Sequence, residues 1–383
     1  MRFLISAGEA SGDVYGAKLI EAMRKLSPPV AAPLEFFGVG GEQMRRAGSD
    51  LVVKAHEIAV VGLAEVVAHL PRIYRRFRQV VAEVDQRRPD AAILIDFPDF
   101  NFRLARDLHR RGIPVIYYVS PQLWAWRESR IGLVRKYVRK MLVIFPFEEN
   151  FYGERGIDAQ FVGHPLADMS LPTVTREAFA AEHGLDRDRP WIALLPGSRQ
   201  GEVSRIYPKL LEAAQLLGPE YVYLTPVAST LDSRCIASFL QDHTGPPIKL
   251  TRDARGTLLH ARAAAVASGT STLEAALLGT PFVMVYQVSP LTWGLGRRLV
   301  KVDRFAMVNL IAQQDVVPEL VQRDFTADRV AACLGSLAAE GEARRNMIEK
   351  FKEVRDALGP SGDTCNASER AAEAVFAATG RGA

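Results

Sequence analysis

The residue best placed to do chemistry is Asp96, which follows the apolar run Ala91–Ile95. Such a run, with helical patterns on both sides, predicts a buried strand of a parallel sheet. Open α/β folds bind ligands at the carboxyl ends of these strands, and a carboxylate flanked there by apolar groups is partly desolvated. Asp96 is therefore a candidate general base, with a buried structural carboxylate as the alternative. Asp99 and Asn101, which follow it, fit turn and capping roles.

A second candidate site is the loop of small residues at 6–16, which joins a predicted strand to a predicted helix. Backbone N–H groups of such a loop can approach a ligand closely. The loop is not GxGxxG, however, and Glu9 and Asp13 would repel a pyrophosphate, so a nicotinamide dinucleotide is disfavoured. We expect Glu9, Ser11 and Asp13 to contact the hydroxyls of a sugar. Capping of the helix by Ser11 or Asp13 is the alternative.

A third loop follows the predicted strand at 114–119 and carries Trp124 and Trp126, with Arg127 and Arg130 close behind. Aromatic rings stack on sugars and guanidinium groups bind phosphates, so this loop suits a phosphorylated sugar. Packing of the loop against its own domain would account for the same residues, and both interpretations stay open.

Two loops of the second half of the chain together indicate a nucleotide diphosphate. The first follows the predicted strand at 191–195. Its Gly197 and Ser198 allow close approach of the backbone, and Arg199 offers a planar fork for phosphate oxygens.

The second of these loops opens a predicted helix with Gly269 and four small polar residues, which are Ser268, Thr270, Ser271 and Thr272. The N–H groups and hydroxyls at a helix start attract an anion. Glu274, one turn into the helix, is suited to accept hydrogen bonds from both hydroxyls of a ribose. A capping-box pairing with Ser271 is the alternative.

No metal site is expected. The seven histidines are scattered, and neither HExxH nor HxH is present. The DxD triplet Asp186-Arg187-Asp188 precedes a predicted strand and has a cation at its centre, which favours a solvated turn. His164, beside the predicted linker, fits a structural role. The net charge of +4 suits an anionic small molecule or an anionic lipid surface and argues little for nucleic acid.

These candidate residues lie on a chain of 383 residues in which short apolar runs alternate with helical patterns. The alternation predicts βαβ units and parallel sheets in two doubly wound α/β domains. We expect a first domain at 1–165, a proline-rich hinge, a second domain at 173–340, and helices at 341–383 that pack back on the first domain or on a partner subunit. The predicted strands lie at 3–6, 35–39, 91–95, 114–119, 141–145, 191–195, 221–224, 264–267 and 281–286.

A helical pattern at 60–77 is typical of a membrane-surface helix. Its apolar face consists of Val60, Leu63, Val67, Leu70, Tyr74 and Phe77. The arginines Arg72, Arg75 and Arg76 project mostly from the other side, which suits an anionic headgroup layer. Packing of this face on the core is the alternative.

The cellular compartment is indicated by what the sequence lacks. The three cysteines form no CxxC pair, no secretory signal is visible, and no apolar stretch is long enough to span a bilayer. We therefore expect a cytoplasmic protein.

Taken together, the motifs resemble the lipid-A-disaccharide synthase family. The matching pieces cover most of the chain in the family's order, and they are AGEASGD (7–13), IDFPDFN (95–101), YYVSPQLWAWR (117–127), PFE (146–148), FVGHP (161–165), LLPGSRQGEV (194–203), SGTSTLE (268–274) and NL (309–310). The resemblance implies a GT-B fold, with two Rossmann-like domains, a cleft between them and a helical C-terminal tail. It also implies an inverting transferase without a metal or cofactor.

The activity implied is transfer of 2,3-diacylglucosamine from UDP to 2,3-diacylglucosamine 1-phosphate, giving a β(1→6) lipid A disaccharide. By this resemblance Asp96 matches the family's essential aspartate, and Asn309 joins the UDP-binding loops. The acceptor contacts expected are Glu9, Ser11, Asp13, Trp126 and Arg127. Acylated substrates further imply peripheral binding to the cytoplasmic face of the inner membrane, and the C-terminal helices offer a route to a homodimer.

Other functions share parts of this pattern. A UDP-GlcNAc 2-epimerase or an undecaprenyl-linked GlcNAc transferase would have the same two-domain plan and a similar loop at 268–274, but the loops at 7–13 and 124–127 disfavour both. A non-catalytic nucleotide-sugar-binding protein would need no base at Asp96. A dinucleotide oxidoreductase would need the fingerprint that is missing here.

Overall fold

The computed structural model describes residues 1–27, 33–58, 63–125, 128–228, 231–290, 293–294, 303–359 and 365–380, with the backbone alone at 63–69 and 233. The chain divides into two compact units. The first consists of Met1–Asp168 together with Leu358–Ala383, and the second consists of Met169–Ala357.

The first unit is a parallel sheet with helices around it. Its strands are β1 (Arg2–Ala7), β2 (Glu35–Gly40), β3 (Ser49–Lys54), β4 (Ala91–Ile95), β5 (Val115–Tyr118), β6 (Lys140–Val143) and β7 (Ala159–Phe161). Its helices are α1 (Ala10–Leu26), α2 (Glu42–Arg46), α3 (Leu63–Arg87), α4 (Pro98–Arg110), α5 (Ile131–Tyr137), α6 (Pro146–Gly153) and α15 (Ala367–Ala378), with 3-10 turns at Ala55–Glu57 and Glu128–Arg130. The strand order is β3-β2-β1-β4-β5-β6-β7, which reverses direction between β1 and β4.

The second unit repeats this plan. Its strands are β8 (Trp191–Leu195), β9 (Val222–Pro226), β10 (Ile248–Thr251), β11 (Ala263–Ala267), β12 (Phe282–Tyr286) and β13 (Glu319–Val321). Its helices are α7 (Arg176–His183), α8 (Gln200–Leu217), α9 (Ser233–Leu240), α10 (Ala254–His260), α11 (Thr270–Leu277), α12 (Met307–Ala312), α13 (Ala327–Ala338) and α14 (Glu342–Leu358). The parallel strands run in the order β10-β9-β8-β11-β12-β13, so this sheet reverses between β8 and β11.

The strands predicted from the sequence are all present, with ends within two residues of those expected. Each central strand packs helices on both faces, so its residues form a continuous apolar run that is easily recognised. The strands missing from the prediction are β3, β7, β10 and β13, and each of them lies at an edge of its sheet. Edge strands are covered less completely and carry mixed sequences, which explains why the pattern did not reveal them.

The C-terminal helices divide between the two units. On α14, Phe351 stacks on Phe282 of β12 in the second unit, with ring centroids 5.8 Å apart. By contrast α15 packs on α1 of the first unit, where Glu369 pairs with Lys25 at 2.5 Å. The first unit is therefore assembled from two stretches of chain that lie far apart in the sequence.

Candidate active site

The predicted loops meet in pairs, one pair in each unit. In the first unit the loops after β1 and β4, which contain 7–13 and 96–101, leave neighbouring strands at the point where the strand order reverses. In the second unit the loops after β8 and β11, which contain 197–199 and 268–272, do the same. Ligands of open α/β sheets bind at such switch points. Each unit thus gathers its predicted site residues at the sheet edge where a small molecule is expected.

Asp96 is held at the end of β4 in an unusual backbone conformation. Its φ is 43° and that of the following residue is 49°, in the left-handed region that residues with a Cβ avoid. The Asp96 N–H donates to the carbonyl oxygens of Tyr118 and Val119, both at 3.2 Å. The Asp96 carbonyl accepts from Tyr117 Oη at 2.6 Å and from Asn101 Nδ2 at 2.8 Å. Strain of this kind persists only where the surroundings impose it and clusters at functional sites, and here the hydrogen bonds to the N–H and the carbonyl oxygen of the partly buried Asp96 fix its backbone.

Asn101 connects the two strands that meet at this edge. It is completely buried, and its Oδ1 accepts from Ser6 Oγ of β1 at 2.8 Å. Its Nδ2 donates to the carbonyl oxygens of Ile95 at 3.2 Å and Asp96 at 2.8 Å. The amide therefore ties β1 to β4 rather than only capping a turn. Its main partner, Ser6, lies far away in the sequence, so no local pattern indicates this role.

The ring of Phe97 fills the space over Gly8. A Cβ at Gly8 would lie 2.3 Å from Phe97 Cγ, so the loop after β1 requires glycine here. Phe97 also stacks on Phe100, and Phe100 meets Phe77 of α3 edge to face, with centroid distances of 5.6 Å in both pairs. The loops after β1 and β4 thus hold each other in place through an aromatic row that reaches α3.

The three residues expected to contact the acceptor through the first loop differ in their surroundings. Glu9 is exposed at the start of α1, and Ser11 is partly exposed in its first turn. Asp13 is buried, and its carboxylate accepts from three backbone N–H groups at the start of α2, at 2.7, 3.0 and 3.1 Å. Asp13 therefore caps α2 and supports the loop, which leaves Glu9 and Ser11 as the better placed candidates for sugar contact.

The loop after β5 is anchored by a carboxylate that the sequence did not single out. Trp124 Nε1 donates to Glu148 Oε1 at 3.0 Å, and Glu148 Oε2 accepts from the Phe145 N–H at 3.2 Å. Glu148 is fully buried, and burial raises its pKa to about 7. An acidic residue in the first turn of a helix ordinarily faces solvent, so the PFE motif gave no sign of this role. Trp126 and Arg127, the other predicted acceptor contacts, lie outside the described residues.

His164 is a buried neutral residue beside the boundary of the first unit. Its Nδ1 accepts from the Leu166 N–H at 3.1 Å, and its backbone N–H donates to the Leu358 carbonyl oxygen at 2.9 Å. The rings of Tyr15 and Phe145 lie 6.0 and 5.3 Å from the imidazole. Burial lowers the pKa of His164 to about 3, so the imidazole is uncharged at neutral pH.

In the second unit, Gly197 turns the chain out of β8 with a φ of 113°. The Ser198 N–H donates to Glu202 Oε2 at 3.3 Å, and Arg199 Nη1 lies 3.6 Å from Glu202 Oε1. The Arg199 side chain is 47% exposed. Glu202 thus orders the loop. Because an exposed ion pair contributes little stability, an anionic ligand can replace the Glu202 carboxylate beside the Arg199 guanidinium.

α11 begins directly after β11, which is the neighbour of β8 in the sheet. Gly269 caps the helix, Gly269 and Thr270 are exposed, and the hydroxyl residues at 268 and 271 are partly exposed. Ser268 Oγ donates to the Phe305 carbonyl at 3.3 Å, whereas Thr272 Oγ1 donates back to Gly269 at 2.7 Å. The N–H groups of a first helical turn have no acceptor within the helix, so this start suits an anion.

Glu274 lies one turn further along α11. Burial raises its pKa, with the charge of Arg255 acting against the effect. Because α11 is capped by Gly269 without a side-chain hydrogen bond, the capping-box pairing of Glu274 with Ser271 does not form. A half-buried carboxylate at this position is suited to hydroxyl donors such as those of a ribose.

Asn309 is used inside the protein. Its Nδ2 donates to the Val317 carbonyl at 2.9 Å and to Glu319 Oε1 at 2.8 Å, and its Oδ1 accepts from the N–H groups of Val316 and Val317 at 2.8 and 2.9 Å. These bonds use the full capacity of the amide. Glu319 also accepts from the Phe305 N–H, at 2.9 Å to its nearer oxygen. Asn309 therefore supports the segment that holds Ser268, and this geometry does not favour direct contact with UDP.

Two other predicted features can be placed. Asp186 accepts from the Asp188 N–H at 3.0 Å, which makes the DxD triplet a turn. Within the described ranges, no group of three or more His, Cys, Asp or Glu residues could hold a metal ion.

The apolar face of α3 is split between core and surface. Ile73 and Phe77 pack against the core of the first unit, whereas Leu70 is 42% exposed and Tyr74 is 64% exposed. For Phe77 the alternative of packing on the core holds, because its ring belongs to the aromatic row beside the loop after β4. The remaining side chains of the predicted apolar face lie outside the described residues; these are Val60, Leu63 and Val67. In the parts of the chain that are described, no helix is both long and apolar enough to cross a membrane.

A model of the family described as Lipid-A-disaccharide synthetase matches residues 3–375. The chain belongs to this family. The lipid-A-disaccharide synthase of Koribacter versatilis (strain Ellin345) is 57% identical over 100% of this chain and 99% of its own length. That of Acidobacterium capsulatum is 49% identical over 94% of this chain and 92% of its own. The chain is accordingly an enzyme of the glycosyltransferase class, as the motifs predicted.

Solved structures that share the fold are far more distant in sequence. A UDP-GlcNAc 2-epimerase from Neisseria meningitidis bound to UDP-GlcNAc is 12% identical, with a TM-score of 0.67 over 98% of this chain and 100% of that one. A calicheamicin glycosyltransferase is 17% identical, with a TM-score of 0.59 over 99% and 98%. At such identities the likeness shows the fold alone. The prediction of a GT-B fold with two Rossmann-like domains and C-terminal helices is confirmed.

Proposed function

We propose that the chain transfers 2,3-diacylglucosamine from UDP to 2,3-diacylglucosamine 1-phosphate, giving the β(1→6) disaccharide 1-phosphate and UDP. Membership of the family supports the reaction. The observation that carries the mechanism is the position of Asp96 at the switch point of the first unit, where hydrogen bonds to its N–H and to its carbonyl oxygen fix its backbone. A hydroxyl nucleophile needs a positioned base of this kind.

In the proposed step, the 6-hydroxyl oxygen of the acceptor bonds to the anomeric carbon of the donor. The bond from that carbon to the UDP oxygen breaks, and UDP leaves with its electron pair. Asp96 takes the proton of the attacking hydroxyl. Attack from the face opposite UDP inverts the anomeric configuration. Because the backbone of Asp96 is held in place, little reordering of the base is expected at the moment of reaction.

The departing diphosphate is proposed to be stabilised by Arg199 and by the first turn of α11. The guanidinium is exposed beside Gly197 and Ser198, and the N–H groups at Gly269 and Thr270 add the positive end of a helix. Such groups stabilise developing negative charge in the role that a metal ion has in other transferases. On α11, Glu274 would hold the ribose.

The acceptor is proposed to lie against the loops of the first unit, with Glu9 and Ser11 near its hydroxyls and Trp126 and Arg127 as further contacts. Acyl chains keep both substrates in a bilayer, so we place the enzyme at the cytoplasmic face of the inner membrane, bound peripherally. Leu70, exposed on the arginine-rich helix α3, is part of the described surface that suits this contact. Exchange of α15 between two copies would be the route to a homodimer.

The test is Asp96→Asn, assayed by UDP release and by formation of the disaccharide with EDTA present. Turnover should fall by roughly 100-fold or more while UDP binding changes little. Asp99→Asn is the matched control, because Asp99 is exposed and pairs with Arg130. Near-normal turnover of a folded Asp96→Asn protein would remove Asp96 from the mechanism. Activity abolished by EDTA and restored by magnesium would contradict the proposed role of Arg199.

A further inference from the structure

Glu148 of α6 is a buried carboxylate that the proposed chemistry does not use. Its polar neighbours in the described part of the chain are neutral: Trp124 Nε1, the backbone at Phe145 and Ile144, and the Ser120 hydroxyl. Burial of a carboxylate is unfavourable, and an apolar residue would pack at this position at lower cost. One carboxylate oxygen caps α6 through Phe145. The other is directed at Trp124, and this bond is what requires explanation.

The bond fastens the loop after β5, which comprises residues 119–125, to α6. Trp124 lies toward the far end of this loop, and its ring also meets Phe147 of α6 edge to face at 5.0 Å. Near the start of the loop, Ser120 Oγ lies 2.6 Å from Tyr152 Oη, again on α6. Both ends of the loop are therefore held by the same helix.

The same loop also holds the proposed base. The carbonyl oxygen of Val119, where the loop begins, accepts from the Asp96 N–H at 3.2 Å, and so does that of Tyr118. Val119 has a φ of 60°, so the chain turns sharply at this point. A displacement of the loop would change the hydrogen bonds that fix Asp96 and would move the surface beside it.

We propose that Glu148 is a positioning residue, which through Trp124 holds the loop after β5 as a preformed surface for the phosphorylated sugar acceptor beside Asp96. This inference rests on the proposed function and extends it to the acceptor side alone. The donor loops belong to the second unit, so they are expected to be insensitive to the bond between Glu148 and Trp124.

Two variants act on the bond from opposite sides. Glu148→Gln keeps the shape but leaves a single acceptor oxygen, which cannot serve both Trp124 Nε1 and the Phe145 N–H and so weakens the pair of bonds. Trp124→Phe removes the indole N–H while it keeps an aromatic ring. Each should raise the KM for 2,3-diacylglucosamine 1-phosphate roughly 10-fold, about the value of one buried hydrogen bond, with little change in the KM for the UDP-sugar. The double variant should raise this KM no further than Trp124→Phe alone, because both changes act on the same bond.

Glu149→Gln on the same helix is the matched control, since the Glu149 side chain is exposed and accepts from the Phe161 N–H at 3.2 Å, away from the loop after β5. It should leave both KM values unchanged. An unchanged acceptor KM in Glu148→Gln and Trp124→Phe, or an equal rise for both substrates, would overturn the inference. A lowered melting temperature without a change in KM would assign Glu148 to the capping of α6 alone.

A readout independent of activity separates this inference from the proposed function. The indole N–H signal of Trp124 in an NMR spectrum is identified by its loss in Trp124→Phe. Its hydrogen exchange should be roughly 10-fold faster or more in Glu148→Gln if the buried bond protects it. Unchanged exchange would contradict the inference. A wild-type protein that transfers nothing to the acceptor would contradict the proposed function instead.

Discussion

Two buried groups of the first unit should affect its stability in opposite directions as the pH changes. Burial lowers the pKa of His164 from 6.5 to about 3. Burial raises the pKa of Glu148 from 4.5 to about 7. Unfolding returns both groups to water and to their ordinary pKa values, so each difference in pKa is a contribution to the free energy of unfolding.

The signs follow from where the proton binds. Below its unfolded pKa of 6.5, His164 takes a proton only in the unfolded chain, so its contribution is complete above 6.5 and is lost as the pH falls toward 3. Glu148 takes a proton in the folded protein first, so its contribution is complete below 4.5 and is lost as the pH rises through 7. Each slope is about 1.4 kcal/mol per pH unit, and the two have opposite signs. Between about pH 7 and about pH 5 each group changes the free energy of unfolding by about 2 kcal/mol, so together they nearly cancel.

Removal of either group should make the pH dependence that the other group gives to the free energy of unfolding visible. The free energy of unfolding in urea is measured at about pH 5 and about pH 7 for the wild type, Glu148→Gln and His164→Asn. Acidification should destabilise Glu148→Gln by about 2 kcal/mol more than the wild type, and should stabilise His164→Asn by a similar amount relative to it. The Asn amide oxygen can accept from the Leu166 N–H as the imidazole does. All other titrating groups cancel in these differences. Parallel profiles for the three proteins would refute the assigned effects of burial.

Three further changes test other parts of the protein. Arg199→Ala should weaken UDP binding, measured by calorimetry, and should also lower turnover, each by roughly 10-fold or more. The reason is that the charge of Arg199 acts in the ground state and in the transition state alike. Intact UDP affinity would exclude this role. Gly8→Ala places a Cβ 2.3 Å from Phe97 Cγ and should lower the free energy of unfolding by about 1–3 kcal/mol. Part of this stability should be recovered when Phe97→Ala is added. Equal losses of stability in the single and double variants would contradict the steric argument. Serine at Leu70 and Tyr74 together should reduce sedimentation with anionic vesicles, most visibly at low salt, without a change in thermal stability; unaltered sedimentation would place the membrane contact elsewhere.

The fold could be predicted from the sequence where burial is complete. β4 and β11 are AAILI and AAAVA, buried at every residue, and such short apolar runs between helical patterns are typical of the central strands of a parallel sheet. The edge strand β3 is SDLVVK and mixes buried and exposed residues, so neither an apolar run nor a clean alternation marks it. The sequence thus reveals the centre of each sheet and conceals its edges.

The site could be predicted in part for a related reason. The place of Asp96 follows from the strand before it, but its left-handed backbone depends on Tyr117 and Tyr118, which belong to the next strand. Glu148 and Asn309 are polar residues near helix starts, where the sequence indicates surface or ligand contact. Whether such side chains turn inward is decided by partners that lie elsewhere in the chain, such as Trp124 for Glu148. Local sequence contains no record of these pairings.

The return of α15 to the first unit has a consequence for the order in which the protein is made. Its fully buried residues Ala367, Ala371, Ala372 and Val375 complete that unit, yet they are synthesised only after all of Met169–Ala357. At about 5–20 residues per second, the ribosome needs roughly 10–40 s for the intervening stretch. During that time the newly made N-terminal part exposes the apolar face of α1 that α15 later covers, and it is open to chaperones and proteases. A premature stop before α15 would therefore damage the part of the protein that was translated first.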